Sequence, residues 1–113
     1  MGATEMREPS FLILTALAGG PLHGYAVIAE VAQMSQGRVR LRAGTLYAAL
    51  ERLAAEGLVA SSGEQVVDGR LRRYFRLTDE GEQALTLEAR RLRENADRAV
   101  ARLRTARSRV APA

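Results

Sequence analysis

Arginine is the side chain that could do chemistry here. All 17 basic residues are arginine, set against 13 carboxylates, and lysine is absent. A planar guanidinium grips phosphate oxygens and guanine edges in a way that a lysine point charge does not. A GC-rich genome would also replace lysine by arginine, so the deficit alone decides nothing; placement matters more. In GRLRRYFR, Arg70, Arg72, Arg73 and Arg76 crowd into one short segment. Upstream, RAGTLYAALER carries Arg42, Thr45, Tyr47 and Arg52 beside the small Gly44 and Ala48. Thr45 can bond a phosphate or a base, Tyr47 can bond or pack, and Arg42 and Arg52 can reach phosphates. His23, the single histidine, lies in an HGY turn. Capping or phosphate contact suits it, with Tyr25 a second candidate for phosphate.

Other chemistries find little support. With no cysteine, disulfides, thiolate metal sites and cysteine nucleophiles are excluded. A lone histidine without a carboxylate cluster is a poor metal ligand. No Ser/His/Asp arrangement, glycine-rich phosphate loop or paired carboxylates are visible. We therefore expect no catalytic residue, no metal and no cofactor. The net charge of +4 and a pI near 10.6 make an anionic partner plausible.

At 113 residues, 47% hydrophobic and 27% charged, the chain has the size and balance of one soluble domain. Apolar runs such as FLIL (Phe11–Leu14) are far too short to cross a bilayer, and no secretory signal is expected. A cytoplasmic protein fits best.

Helical spacing predicts a first helix over Phe11–Ala18, with Leu14, Leu17 and Ala18 on one face, stopped by Gly19-Gly20-Pro21. A second runs from about Gly24 to Ser35, with Tyr25, Ile28, Ala29 and Ala32 in register. RVRLR (38–42) then leads into a third helix, in which Leu46, Leu50 and Leu53 face the core and Gly57 is the C′ glycine. The period changes to two after Leu58. LVASSGEQV and RLRRYFRL read as strands of a hairpin turned at Asp68-Gly69. Leu71, Phe75 and Leu77 share one face; Arg70, Arg72, Tyr74 and Arg76 share the other. Arg73 falls on the apolar side, at an outer end that overhangs the core.

Thr78 reads as the N-cap of a last helix, with Asp79 and Glu80 in its first turn. Leu85, Ala89, Leu92, Ala96, Ala99, Leu103, Ala106 and Val110 step by four and three along it, which is an a/d heptad seam. Helical throughout, it spans about 48 Å. That overshoots the small core, and the simplest cover for the excess is a second copy. Phe11, Leu85, Ala89, Leu92, Ala96, Ala99 and Leu103 are thus the candidate dimer interface.

This order makes the fold mainly α with a small β part: a winged helix-turn-helix (1–78) followed by a long C-terminal dimerisation helix and tail (79–113). In such a fold the second motif helix enters the major groove, which gives its outer face, Arg42, Gly44, Thr45, Tyr47, Ala48 and Arg52, a task. Periodicity alone makes that face a solvated surface. The basic wing of Arg70, Arg72 and Arg73 directly after it tips the balance, since phosphate contacts dominate affinity for DNA.

LHGYAVIAEV, GTLYAALERLAAEGLV and GRLRRYFRLTDEGEQAL resemble the PadR family of bacterial transcriptional regulators, from about Glu8 to Leu92. The single C-terminal helix resembles the family's smaller subgroup. The resemblance implies a winged-helix domain that binds double-stranded DNA, a homodimer formed through the C-terminal helix, and usually repression relieved by a small-molecule effector; a two-fold dimer presents two recognition helices, so a near-palindromic operator is expected. Near a dimer interface, the effector's wall would include Phe11, Ala89, Leu92 and Ala96. Arg42-Ala43 replace a Ser-Pro common in the family, which removes a serine cap and leaves Arg42 for a phosphate. Phe75 replaces a common tyrosine. The rival reading is a winged-helix protein-interaction module whose long helix pairs with a different chain.

Overall fold

Three short helices come first in the computed structural model, which describes residues 6–110. They are α1 (Glu8–Ala18), α2 (Gly24–Met34) and α3 (Ala43–Ala55). Residues 1–5 and 111–113 of the two expected domains, and the side chain of Val110 on the seam, lie outside the described residues. α1 starts ahead of Phe11 because Pro9 fits the first turn, where its missing N–H costs nothing. Ile13, Leu14, Ala16 and Leu17 are its buried apolar residues, whereas Ala18, expected on that face, is exposed.

The buried stripe of α2 is Gly24, Val27 and Val31. The stripe expected from Tyr25 and Ala29 instead faces solvent, with Tyr25 65% exposed. An almost wholly apolar helix carries two stripes of equal spacing, and the helix it meets chooses between them. α2 ends where Gln36 and Gly37 both take positive φ, 55° and 80°. Ser35 secures that reversal: its Oγ donates to the Val31 carbonyl at 2.8 Å and accepts from the Val39 N–H at 2.9 Å.

α3 starts at Ala43 with Arg42 at the N-cap, where no side chain caps it. It closes in a Schellman motif: Gly57 N–H donates to the Ala54 carbonyl and Leu58 N–H to Leu53, at 3.0 and 2.9 Å, with Gly57 at φ 80°. Leu46, Leu50 and Leu53 are at most 1% exposed. They meet Ile13, Leu14, Val27 and Val31 in the core.

The hairpin forms from β2 (Val59–Val67) and β3 (Arg70–Leu77). Asp68 and Gly69 both have positive φ, as a type I′ turn requires. A third strand, β1 (Leu22–His23), was not expected. It pairs antiparallel with the other edge of β3, Leu22 opposite Phe75 and His23 opposite Tyr74. Two residues are too few for a periodic signal; only their position beside β3 makes them a strand. The β2–β3 register shifts between Ser61 and Glu64, and Gly63 at φ 102° takes up that bulge. Leu71 is 57% exposed and Arg73 is exposed too, so the hairpin's outer end does overhang the core.

α4 (Asp79–Val110) follows. Thr78 Oγ1 accepts from the Gly81 N–H at 2.9 Å and donates to the Gly57 carbonyl at 2.6 Å, which ties α4's first turn to the end of α3. Gly81 has to be glycine: a Cβ there would fall 2.9 Å from Leu77 Cδ1 and collide with the Leu58 carbonyl. Leu85 packs on the core. Beyond Glu88, which is still buried, α4 runs out alone, and the chain measures 71 × 33 × 21 Å.

Candidate nucleic-acid interface

At the N-terminal turn of α3, Arg42, Ala43, Gly44 and Thr45 are all exposed, as is Ala48 one turn on. A Cβ on Gly44 would meet nothing within 4 Å. Of the six residues expected on this face, Arg42, Gly44, Thr45 and Ala48 stand clear of the core.

Tyr47 and Arg52 are held differently. Tyr47, 39% exposed, lays its ring against Phe75 of β3 with centroids 6.2 Å apart. Its hydroxyl end lies over Gly24, where a Cβ would sit 2.9 Å from Cζ. One side chain thus joins α3, the first turn of α2 and the wing. Arg52 Nη2 donates to Ser10 Oγ on α1 at 2.8 Å, and Nη1 lies 3.7 Å from a Glu56 carboxylate oxygen. Its guanidinium is turned toward α1.

Arg38 and Arg40, in the approach to α3, were not expected at the site, although the alternation in RVRLR marks them. Arg38 makes a two-pronged ion pair with Glu8, and Arg40 Nε donates to the Gly37 carbonyl at 3.1 Å. The first turn of α1 therefore grips one arginine ahead of α3 and one within it: Glu8 takes Arg38 and Ser10 takes Arg52. Arg38 draws the Glu8 carboxyl below its usual range, chiefly through this hydrogen bonding.

On the wing, Arg70 and Arg73 are exposed and Arg72 half-buried. Arg73 Nε lies 3.6 Å from a Glu64 carboxylate across the ladder, and the Tyr74 hydroxyl donates to Gln65 Oε1 at 3.0 Å. Arg70, Arg72 and Arg73 all lie outboard of the bulge, toward the turn.

His23 closes the site from α2. Its Nδ1 accepts from the Ala26 N–H at 3.3 Å, so it caps the helix. Its ring meets Tyr74 edge-on, centroids 5.5 Å apart. Burial, with the charge of Arg72 second, pushes its pKa below the usual histidine value. The ring is thus neutral at pH 7, and the cap leaves its proton on Nε2. Tyr25, in the first turn of α2, is exposed to solvent.

The far half of α4 is bare. Leu92 is 39% and Leu103 65% exposed, and Ala89, Ala96, Ala99 and Ala106 are exposed. Glu88 is the buried carboxylate at the last contact with the domain; Arg91 bonds it and lowers its pKa. Phe11 is half-buried. An open cleft of about 800 Å³ lies between α1, α3 and α4, lined by Met6, Ser10, Arg52 and Leu58 among others. The expected effector wall of Phe11, Ala89, Leu92 and Ala96 does not line it. Among the described residues no group of three or more His, Cys, Asp or Glu could hold a metal. No described helix is long and apolar enough to cross a membrane.

Residues 13–87 match the model of the transcriptional regulator PadR-like family. The chain belongs to that family. The PadR match spans the core of α1, the helix-turn-helix, the wing and the start of α4. Transcriptional regulator Rv3488 of Mycobacterium tuberculosis is 43% identical over 82 residues, 73% of each chain. An uncharacterised 37.1 kDa protein of transposon TN4556 from Streptomyces fradiae is 46% identical over 82 residues, but the chain spans only 22% of its length. Among solved structures, Bacillus subtilis PadR in complex with operator DNA superposes with a TM-score of 0.62 at 23% identity, over 71% of this chain and 45% of that one. The fold is the winged helix of PadR regulators, with a long C-terminal helix, and the family is one of regulators rather than enzymes.

Proposed function

We propose that the chain is a sequence-specific DNA-binding repressor that acts as a homodimer. The observation that carries this is the N-terminal turn of α3, which offers Arg42, Gly44, Thr45 and Ala48 to solvent with the Arg70–Arg73 wing alongside. That turn enters the major groove, where Thr45 and Ala48 meet base edges. Arg42 and the wing arginines take phosphates, which set affinity and orientation. The neutral His23 offers its Nε2 proton, and Tyr25 its hydroxyl, to a phosphate at the N-terminus of α2, where the helix dipole favours an anion. Tyr47 aims α3 from behind rather than reading a base, and Arg52 holds α3 to α1. The family match and the operator complex of the B. subtilis relative support this reading.

The uncovered seam of α4 is the reason to expect two copies, and two-fold symmetry makes the operator near-palindromic, with half-sites one helical turn or a multiple apart. Relief of repression by a small molecule bound near Phe11 and Ala89 follows the family pattern, in a cytoplasmic setting. Selection from a random DNA library tests the reading. Paired, inverted half-sites are expected, with affinity falling steeply as salt rises; salt-insensitive binding, or none at low salt, overturns it.

A further inference from the structure

The segment that leads into α3 has an order of its own. From Arg38 to Arg42 exposure alternates: Arg38, Arg40 and Arg42 face solvent, while Val39 and Leu41 are half-buried against the core. Arg42 is extended, at φ −88° and ψ 157°. Ser35 holds Val39 from beneath, bonding its N–H at 2.9 Å and its carbonyl at 3.3 Å. Alternate side chains of an extended run stand about 7 Å apart on one side. Three guanidiniums therefore form a rail that ends at the N-cap of α3. Arg40 is fixed on that rail: its Nε donates to the Gly37 carbonyl at 3.1 Å. Its Nη2 lies where a Cβ on Gly37 would come within 2.9 Å.

The three arginines are not equally available. Among the described residues no carboxylate pairs with Arg40 or Arg42, whereas Glu8 takes Arg38 end-on, one oxygen to each Nη. That is the two-pronged geometry by which a guanidinium grips a phosphate. Glu8 thus fills the fork that a phosphate would fill. The two side chains are 62% and 49% exposed, and so open a pair is weakly held. Glu8 also stands in the first turn of α1, where the helix dipole suits a carboxylate even after its arginine has left.

We infer that Arg38, Arg40 and Arg42 track neighbouring phosphates of one DNA strand toward the groove-facing turn, and that Glu8 is an internal phosphate mimic that holds Arg38 until DNA displaces it. This rests on the proposed DNA binding and adds a line of backbone contact separate from the wing. It also gives the chain a built-in restraint on its own affinity, carried by a residue that never touches DNA.

Affinity of the full chain for library-selected DNA tests the inference. Glu8→Gln should bind about two- to five-fold more tightly, a gain that a misfolded variant could not show. Arg38→Gln and Arg40→Gln should each bind more weakly and lower the slope of log affinity against log salt by about 0.9. In the Arg38→Gln background, Glu8→Gln should change nothing, because the side chain it restrains is gone. Weaker binding by Glu8→Gln overturns the inference, since Glu8 then positions Arg38 rather than restraining it. An equal gain with and without Arg38 also overturns it, as the mark of a bare charge effect. Unaltered salt slopes in Arg38→Gln and Arg40→Gln remove the rail. Binding by the unmodified chain with no gain in Glu8→Gln sinks the restraint alone; no binding by the unmodified chain sinks the functional proposal and this inference with it.

Discussion

Gly24 of α2 lies directly beneath the phenol of Tyr47 on α3, so close that even a methyl group at Gly24 would press on Cζ at 2.9 Å. The crossing of the two motif helices is therefore set by an absent side chain under a large one. Phe75 backs the same ring from the wing, which joins the angle of α3 to the position of the hairpin.

Gly24→Ala should force that ring outward. An overpacking cost of about 1–3 kcal/mol is expected, together with weaker DNA binding. Tyr47→Phe removes the hydroxyl and should recover part of the loss in the double variant. Additive losses in a thermal double-mutant cycle would show that the two residues do not press on each other.

Two helical glycines should respond in opposite directions to alanine. Gly44 has open space around its Cβ position, so Gly44→Ala should stabilise the fold by up to about 1 kcal/mol through helix propensity and raise the melting temperature, while disturbing the turn proposed to face the groove. Gly81→Ala meets the Leu58 backbone and should destabilise by about 1–3 kcal/mol or more. Thermal unfolding of both variants decides.

The wing arginines should act on all sequences alike. Replacing Arg70 or Arg72 by alanine is expected to reduce the slope of log affinity against log salt by about 0.9 for each phosphate no longer neutralised. Thr45 or Ala48 substitutions should leave that slope unchanged and shift base preference by about 1–3 kcal/mol at one position. A salt titration on matched and mismatched operators separates the two classes.

His23 predicts a pH dependence of definite sign. Its folded pKa lies below the unfolded value, so the unfolded chain takes up its proton first as pH falls. Stability conferred by the neutral cap is complete above about pH 6.5 and is lost below it, ahead of the lowered carboxyls Glu8 and Glu88, which titrate at lower pH. His23→Asn keeps a capping oxygen and should flatten the melting temperature between about pH 6.5 and 5. An unchanged slope would remove His23 from the account.

Features carried by local residues were legible in the sequence. Asp68-Gly69, Gly57, Thr78 and the leucines of α3 each declare a turn, a stop, a cap or a buried face through near neighbours alone. What stayed hidden depends on distant partners. Val27 and Val31 form the buried stripe of α2 because α3 and α1 lie there, and Leu22–His23 are a strand only because β3 passes by. Arg52 has the spacing of a groove residue, but its partner is Ser10, 42 positions earlier. Glu8 and Arg38, 30 positions apart, are the same case. Spacing reports which side chains share a face; it does not report what the chain brings back to meet them.

The bulge at Ser61–Glu64 divides the wing mechanically. Its root is a three-stranded sheet, clamped by β1 and by Phe75 under Tyr47, while its tip is a two-stranded ribbon that carries Arg70, Arg72 and Arg73. Two elements of unequal stiffness thus stand in series, and bending concentrates at the joint. In the proposed complex with DNA, the tip would follow a phosphate backbone as groove width changes from one site to the next, while the clamped root holds its place against α3.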